Sequence, residues 1–268
     1  MTSVLEFSKA LAREAGEMIR HERDNTTLGH EFKNGRELVT SADLKADALI
    51  CARIKAAFPD HLILSEESSP QLRGVQTQQQ PVWIIDPIDG TVNYAHGHRQ
   101  SAVCIAWAES GNIETGVVYN PFTDELFSAA RGGGAELNGT SIVCSAEADL
   151  SRTLIATGFP YDHSERQSLL PRLMAVLDHC GDLRRLGSAA LDICWVACGR
   201  LDGFYENLSL WDFAAAGLVA REAGAAYGHI QPPPAGVDPQ FHDRDIIVAN
   251  PHIFTDLQRL LQQADEAR

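Results

Sequence analysis

Two aspartates three positions apart, Asp86 and Asp89, lie about a third of the way along the sequence in the stretch Asp-Pro-Ile-Asp-Gly-Thr. Two ionised carboxylates at this spacing repel each other, so a site that holds both needs a counter-charge. A hard divalent cation meets that need, and Mg²⁺ favours carboxylates together with water and substrate phosphate oxygens. Gly90 permits close approach of a phosphate to the backbone, and Thr91 adds a hydroxyl beside it. The spacing therefore predicts a metal-dependent phosphate site.

Two other interpretations of this stretch are open. Asp, Pro and Gly are common turn residues, so the segment is also typical of an ordinary turn. The haloacid-dehalogenase phosphatases carry an Asp-Gly-Thr as well, but one residue separates their two aspartates. Two residues separate Asp86 from Asp89 here, and this spacing argues against that class.

The stretch resembles the signature of the inositol monophosphatase family, which reads Asp-Pro-Ile/Leu-Asp-Gly-Thr followed closely by Asn-Phe or Asn-Tyr. Residues 211–217, Trp-Asp-Phe-Ala-Ala-Ala-Gly, with Arg-Glu-Ala-Gly at 221–224, resemble the second motif of that family. Leu-Val-Thr-x-x-Asp at 38–43 and Ser-Glu-Glu at 65–67 also match, although the family has Gly-Glu-Glu at the latter block. The blocks occur in the expected order, and the resemblance covers nearly the whole chain.

The resemblance implies an α+β / α/β fold, a layered αβαβα sandwich of the inositol monophosphatase and fructose-1,6-bisphosphatase type. The sequence pattern fits, with an amphipathic helix predicted for residues 3–23 and antiparallel strands between residues 101 and 129. Alternating strands and helices follow after residue 150. We expect residues 1–150 to form an α+β domain whose antiparallel sheet carries most metal ligands. Residues 151–268 are expected to form an α/β domain that completes the active site.

Local patterns predict how the acidic residues meet. The apolar strand before Asp86 is expected to stop at Pro87, because proline lacks a backbone N–H. Residues 61–64 form another short apolar strand, and Glu66 follows it as Asp86 follows its own strand. If the two strands are parallel neighbours, both carboxylates lie at one edge of the sheet. Residues 183–186 are predicted as a further strand.

The resemblance implies Mg²⁺-dependent hydrolysis of a phosphomonoester by metal-activated water, with two or three ions bound. The implied metal ligands are Glu66, Asp86, the backbone carbonyl of Ile88, Asp89 and Asp212. The implied catalytic residues are Thr91, Asp43 and Glu66: Asp43 orients Thr91, which positions or deprotonates the water, and Glu66 shares that role through a third, weaker metal. From the residues alone, Asp43 is also typical of a capping box with Thr40 at the start of a helix.

The substrate-binding residues that the resemblance implies are Gly90, Thr91, Gly187, Ser188, Ala189, Glu206 and Asp212. The block that begins at Gly187 opens a helix directly after a strand, which is equally typical of a simple N-cap. The segment between Glu206 and Asp212 is one residue shorter than the usual family spacing. Lys33, in a polar loop, matches a family lysine near the metal-bound water. The Gln-rich loop 71–80 is expected at the surface over the site.

The substrate is expected to be a small polyol or sugar phosphate similar to inositol 1-phosphate. Within the same fold, the alternatives are phosphatases of histidinol phosphate, fructose 1,6-bisphosphate and 3′-phosphoadenosine 5′-phosphate. Asn93 and Tyr94 resemble the inositol and histidinol phosphate branches more than the nucleotide branch. A different class of function is a non-catalytic regulatory binding protein that keeps the fold, but the presence of all five implied carboxylates argues against it.

Composition sets the expected partners. Acidic residues outnumber basic ones by 36 to 22, and the formal charge of −14 disfavours nucleic acid and anionic membrane surfaces. We therefore expect a small-molecule phosphate monoester as partner, with no nucleic acid and no membrane, and the resemblance implies a homodimer. No apolar run approaches the length of a membrane span, and six scattered cysteines fit a reduced, cytoplasmic protein.

Overall fold

The computed structural model describes residues 3–25, 30–33, 37–71, 80–160 and 163–266. Its helices are α1 Val4–Asn25, α2 Ser41–Ala57, α3 Thr91–His96, α4 His163–His179, α5 Ala189–Ala197, α6 Leu210–Glu222 and α7 Phe254–Glu266. Its strands are β1 His30–Lys33, β2 Glu37–Thr40, β3 Leu62–Ser65, β4 Val82–Asp89, β5 Ala102–Glu109, β6 Asn112–Asn120, β7 Glu125–Ala130, β8 Ala135–Leu137, β9 Thr140–Ser141, β10 Leu154–Thr157, β11 Asp182–Arg184, β12 Gly203–Glu206, β13 Ala226–His229 and β14 Ile246–Ala249.

Two large sheets and one small hairpin contain these strands. The seven-stranded sheet has the order β3-β4-β5-β6-β7-β8-β9, in which β3 and β4 are parallel and the other neighbours are antiparallel. The five-stranded sheet has the order β11-β10-β12-β14-β13, in which β10 runs parallel to both of its neighbours. Strands β1 and β2 form the hairpin. The predicted antiparallel strands and the predicted parallel pair β3–β4 are confirmed.

The helices pack against these sheets in layers. Because side chains alternate along a strand, Trp83 and Ile85 of β4 pack in the core with α1 and α2, whereas Val82 and Ile84 pack with α5 and α6. Helices α5 and α6 also contact the inner face of the five-stranded sheet, and α4 and α7 cover its outer face. The order is helix, sheet, helix, sheet, helix, which confirms the predicted αβαβα sandwich.

Three local predictions differ from the structure. Strand β4 does not stop at Pro87 but continues to Asp89. Its register with β5 shifts between Asp86 and Asp89, so Pro87 lies where the ladder is interrupted and no backbone N–H is needed from it. The strand predicted for 183–186 lies at 182–184. Strands β1, β2 and β13 were not predicted, since the first two lie in the segment assigned to a polar loop.

Some predictions concern parts of the chain that the structure does not describe. The side chain of Lys33 and residues 72–79 of the Gln-rich loop lie outside the described residues. Among the described residues, no helix is long and apolar enough to cross a membrane. All six cysteines are free thiols, in agreement with their scattered positions. The division into domains at residue 150 stays a prediction.

Candidate active site

Parallel pairing of β3 and β4 brings Glu66 next to Asp86. Ser65 is paired with Ile85, and the Glu66 backbone N–H donates a hydrogen bond to the Ile85 carbonyl at 3.2 Å. The side chain of Glu66 is also hydrogen-bonded to Asp86. Two carboxyl groups from neighbouring strand ends therefore meet at one edge of the sheet, as the strand pattern predicted.

Three aspartates that are distant in sequence converge beside this pair. One carboxylate oxygen each from Asp86, Asp89 and Asp212 lies within 4.8 Å of the others. The Asp89 carboxylate accepts hydrogen bonds from the Ser188 hydroxyl at 2.5 Å and the Ala190 backbone N–H at 2.9 Å, at the start of α5. Asp212 accepts from the Ser209 backbone N–H at 2.8 Å, at the start of α6. The positive ends of two helices thus face the carboxylates.

The pKa values of Asp86 and Asp89 are raised. Burial, followed by the carboxylates of Glu66, Asp89 and Asp212, raises the pKa of Asp86 well above its ordinary value. Burial raises the pKa of Asp89 to about 6, although the hydrogen bonds from Ser188 and from the start of α5 lower it. Raised pKa values of this kind indicate that the negative charge of the carboxylates is not balanced by nearby positive charge. A bound divalent cation would supply that charge.

Thr91 is held between Asp43 and the chain segment that carries the aspartates. Its hydroxyl lies 3.0 Å from Asp43 Oδ1 and 3.0 Å from the Ile88 carbonyl oxygen, both of which accept its hydrogen. The other oxygen of Asp43 accepts hydrogen bonds from the Thr40 backbone N–H at 2.9 Å and from the Thr40 hydroxyl at 2.5 Å. Asp43 therefore caps α2 and orients Thr91 at the same time. The capping box and the contact with Thr91, which are two interpretations of this residue from the sequence, occur together.

A cavity of about 370 Å³ joins these groups to the loops of the five-stranded sheet. Its acidic lining residues are Glu66, Asp86, Asp89, Asp192, Glu206, Asp212 and Asp243. Among the described residues, the basic ones that line it are Arg185 and Arg244. Gly90, Thr91, Gly187, Ser188 and Ala189 also line it, so the structure brings the sequence-predicted residues together, with Asp43 behind Thr91.

The chain segments around Gly90 pack closely at the wall of this cavity. Gly90 has φ +87°, and a Cβ there would lie 2.8 Å from the Gln100 carbonyl oxygen and 3.0 Å from that of Gly187. The Asn93 side-chain amide donates to the carbonyls of Gln100 at 2.8 Å and Leu186 at 2.7 Å. This amide fixes the loop before α5 against α3, and no side chain larger than hydrogen fits at Gly90.

Glu206, at the end of β12, also lines the cavity. A Cβ on Gly158 would lie 2.0 Å from both carboxylate oxygens of Glu206, so the glutamate side chain lies directly against that backbone. Strands β10 and β12 are parallel neighbours, which places both residues at the same strand ends. Burial and then Asp212 raise the pKa of Glu206 well above its ordinary value, and Arg185 lowers it.

Several lining residues were missed from the sequence, of which Arg185 and Asp192 are the most notable. Arg185 lies two residues before the Gly-Ser-Ala block, and its guanidinium stacks over the Phe159 ring at 5.4 Å. Asp192 is the one charged residue in α5, a signal that the sequence did offer. Ser65, which replaces the family glycine, is buried and donates a hydrogen bond to Asp47 of α2.

Comparison with known proteins decides the family. The model of the inositol monophosphatase family matches residues 1–266. The chain belongs to the inositol monophosphatase family. A solved inositol monophosphatase from Anabaena sp. is 34% identical to this family member, with a TM-score of 0.83 over 97% of this chain and 95% of that one. The extragenic suppressor protein suhB from Bartonella henselae is 36% identical, with a TM-score of 0.89 over 98% and 99% of the two chains.

One relative corrects the prediction about partners. The protein named Nus factor SuhB from Vibrio cholerae is 40% identical to this family member over 228 residues, which is 84% of each chain. The name of this relative is that of a Nus factor, and a small phosphate monoester as the sole partner does not explain it. The prediction that nucleic acid is excluded as a partner is therefore wrong. The reasoning failed because a net charge is a sum over the whole chain and does not exclude a local binding surface.

Proposed function

We propose that this chain is a Mg²⁺-dependent phosphomonoesterase that hydrolyses the phosphate ester of a small polyol or sugar, such as inositol 1-phosphate. The observation that carries the proposal is the meeting of Asp86, Asp89 and Asp212 within 4.8 Å at the wall of a cavity. Glu66 adds a fourth carboxyl group through its hydrogen bond to Asp86. Membership of the inositol monophosphatase family supports the reaction class.

The donor atoms at this site fit Mg²⁺. The groups that would hold it are the carboxylates of Glu66, Asp86, Asp89 and Asp212 and the backbone carbonyl of Ile88, all of them hard oxygen donors. The raised pKa of Asp86, caused by burial and then by the neighbouring carboxylates, indicates a site short of positive charge. When bound, Mg²⁺ supplies that charge to the phosphoryl oxygens and lowers the pKa of water. Two or three ions are proposed.

Thr91 is proposed to orient the attacking water. Its hydroxyl hydrogen points to Asp43 and to the Ile88 carbonyl, so its oxygen is left to accept a hydrogen from water. Asp43, fixed by Thr40, keeps that orientation and is the group to which a proton passed through Thr91 would move. A general base of this kind contributes about 10²- to 10⁴-fold to a hydrolysis rate.

The remaining predicted residues are proposed to bind the substrate. Gly90 would leave room for the phosphate, and the block from Gly187 to Ala189 together with Glu206 would contact the alcohol portion. The loop conformation supports this division, since Asn93 ties the segment before Gly187 to the start of α3. A homodimer and a cytoplasmic location stay predictions, because a single chain bears on neither.

The test is phosphate release from a panel of esters. We expect inositol 1-phosphate to be hydrolysed only with Mg²⁺, and the panel adds histidinol phosphate, fructose 1,6-bisphosphate and 3′-phosphoadenosine 5′-phosphate to identify the preferred ester. Asp86→Asn should reduce kcat at least about 100-fold. Asp178→Asn, at an exposed position on α4, is the matched control and should retain wild-type rates. Full hydrolysis in excess chelator would refute the proposal.

A second candidate function is that of a Nus factor. The observation that favours it is the 40% identity to Nus factor SuhB of Vibrio cholerae over 84% of both chains. The test is complementation of a bacterial strain that lacks its own SuhB, with the wild-type chain and with Asp86→Asn. Growth restored by both proteins would assign the Nus role to the fold and surface of this chain, whereas rescue by the wild type alone would tie the role to the carboxylate site.

A further inference from the structure

Asp192 is a buried carboxylate on the cavity-facing side of α5 that the proposed reaction does not use. Its residue is 2% exposed, it lines the cavity, and Oδ1 has no hydrogen-bond partner among the described residues. Its neighbours along α5 are apolar, in the segment Ala-Ala-Leu-Asp-Ile-Cys-Trp-Val-Ala. A buried carboxyl oxygen without a hydrogen-bond partner is costly, and native structures retain few of them. The partner of Asp192 is therefore to be sought in the molecule that fills the cavity.

The position of Asp192 on α5 relates it to the metal side of the site. Its backbone N–H donates to the Ser188 carbonyl at 3.0 Å, so the two residues are one turn apart on the same face of the helix. Ser188 holds Asp89, which belongs to the group of carboxylates that fits a metal. Among the described residues, that group consists of Asp86, Asp89 and Asp212 and does not contain Asp192. Asp192 thus lies one turn further along the helix, beyond the metal ligands.

Its electrostatic surroundings define the kind of partner. Burial and then Asp89 raise the pKa of Asp192, and Arg185 lowers it. Asp192 in turn contributes to the raised pKa of Glu206. The Arg185 guanidinium lies over the Phe159 ring at the same part of the cavity. A second organic cation beside Arg185 would be repelled by it, whereas a neutral hydroxyl donates a hydrogen bond to a carboxylate at no such cost.

We propose that Asp192 is a specificity-determining residue that accepts a hydrogen bond from a hydroxyl group of the alcohol portion of the substrate. Asp192 and Glu206 then form two carboxylate acceptors of one polyol subsite, and Arg185 acts electrostatically on both of them. This inference rests on the proposed phosphomonoesterase function and adds Asp192 to the residues that would contact the alcohol portion of the substrate. Esters without hydroxyl groups gain nothing from this subsite.

The experiment compares two esters in two variants. Asp192→Leu removes the acceptor at similar volume, and Asp192→Asn keeps one acceptor oxygen and is the variant that preserves folding best. For inositol 1-phosphate we expect Asp192→Leu to lower kcat/KM about 10- to 100-fold, mainly through KM, with a smaller loss for Asp192→Asn. For phenyl phosphate, which has no hydroxyl, kcat/KM should change less than about 3-fold. Asp60→Leu, at an exposed position, is the control and should leave both rates unchanged.

Equal losses on both esters, or no loss on either, would overturn the assignment of Asp192. Calorimetric titration of inositol 1-phosphate into each protein in the presence of Ca²⁺ gives a readout that does not depend on turnover. Weaker binding to Asp192→Leu than to the wild type supports the inference, and equal binding or no binding to the wild type refutes it. If the wild type binds the ester but hydrolyses neither compound, the proposed function fails while the subsite stands.

Discussion

The Ser188 hydroxyl donates a hydrogen bond to Asp89 Oδ2 at 2.5 Å, and this contact joins the end of β4 to the start of α5. The same oxygen accepts the Ala190 backbone N–H at 2.9 Å. A carboxylate that belongs to the seven-stranded sheet thus satisfies an N–H group at the start of a helix that packs between the sheets. Because these hydrogen bonds fix the Asp89 carboxylate, we expect Ser188 to affect both the stability of the protein and its affinity for the proposed metal.

We expect Ser188→Ala to weaken both properties. The substitution removes one donor to the buried Asp89 carboxylate and the hydroxyl that accepts the Leu191 backbone N–H at 3.3 Å. The loss should be about 1–3 kcal/mol in the free energy of unfolding, measured by urea denaturation, and about 10-fold in Mg²⁺ affinity, measured calorimetrically.

Ser151→Ala is the matched control for this variant. The Ser151 hydroxyl also donates to an aspartate, Asp149 at 2.7 Å, but the pair is exposed and outside the candidate site. Its substitution should change neither quantity beyond experimental error. Unchanged Mg²⁺ affinity in Ser188→Ala would mean that Asp89 is not a metal ligand or needs no help from α5.

Mg²⁺ affinity should depend on pH because of Asp89. Burial raises the pKa of this carboxyl to about 6, so at pH 5 a proton would occupy an oxygen of the proposed metal site. Affinity is expected to rise between pH 5 and pH 7 and then to level off, with net proton release on binding at pH 6. Calorimetric titrations in two buffers of different ionisation enthalpy measure that release, and Asp89→Asn should reduce it. Affinity that is flat across this range would contradict the assignment.

The metal-free protein should show the opposite trend in stability. The folded state binds the Asp89 proton more tightly than the unfolded state, whose carboxyl has the ordinary value of 3.8, so stability falls as pH rises between about 4 and 6. The shift to about 6 corresponds to up to about 3 kcal/mol, lost fully above pH 6. Thermal unfolding in chelator at pH 5 and pH 7 tests this, and Mg²⁺ should restore stability at pH 7.

Gly90→Ala should lower the activity and the free energy of unfolding far more than the same change at Gly132. Both residues have a positive φ, +87° and +71°, which costs alanine about 1–2 kcal/mol at either position. Only at Gly90 does the new Cβ meet backbone oxygens, those of Gln100 and Gly187, at 3.0 Å or less, whereas nothing lies within 4 Å at Gly132. We expect loss of activity and an additional loss of at least about 2 kcal/mol for Gly90→Ala, measured by urea denaturation.

Equal destabilisation by the two alanines would show that the close approach of the loops at Gly90 does not constrain the fold. Retained activity in Gly90→Ala would contradict the view that this glycine leaves space for a phosphate. Because the two variants carry the same chemical change, their difference isolates the effect of crowding from that of backbone conformation.

The convergence of Glu66 and Asp86 was predictable because it follows from a simple rule of strand geometry, whereas Asp212 was assigned to the site through the family resemblance alone. Glu66 and Asp86 each end an apolar run, and parallel strands place their carboxyl ends at one edge. The extension of β4 past Pro87 was not predictable in the same way. It depends on a shift of register against β5, and that partner strand lies outside the local pattern.

Asp192 illustrates what the sequence leaves open about the site. A single charge in an apolar helix is visible in the sequence, but whether it faces solvent, core or cavity depends on how α5 packs between the two sheets. The four-residue strand β13 carries too short a pattern to be distinguished from a loop. The error about nucleic acid has a different origin, since the net charge of the chain contains no information about where charges lie.

Thr91→Val tests the proposed path of the proton. Valine has nearly the shape of threonine but removes the hydroxyl that contacts Asp43 Oδ1 and the Ile88 carbonyl at 3.0 Å each. We expect kcat on inositol 1-phosphate to fall at least about 100-fold while KM and Mg²⁺ affinity change little. Thr91→Ser keeps the hydroxyl and should retain most of the rate.

The control for Thr91→Val is Thr123→Val, because the Thr123 hydroxyl also donates to a carboxylate, Glu125 at 3.1 Å, at an exposed position. That variant should retain the wild-type kcat. If Thr91→Val did the same, Asp43 would be left with its role at the start of α2 alone, since its remaining hydrogen bonds come from Thr40. A fall in kcat in Asp43→Asn of similar size to that in Thr91→Val, with no further fall in the double variant, would place both residues on one path.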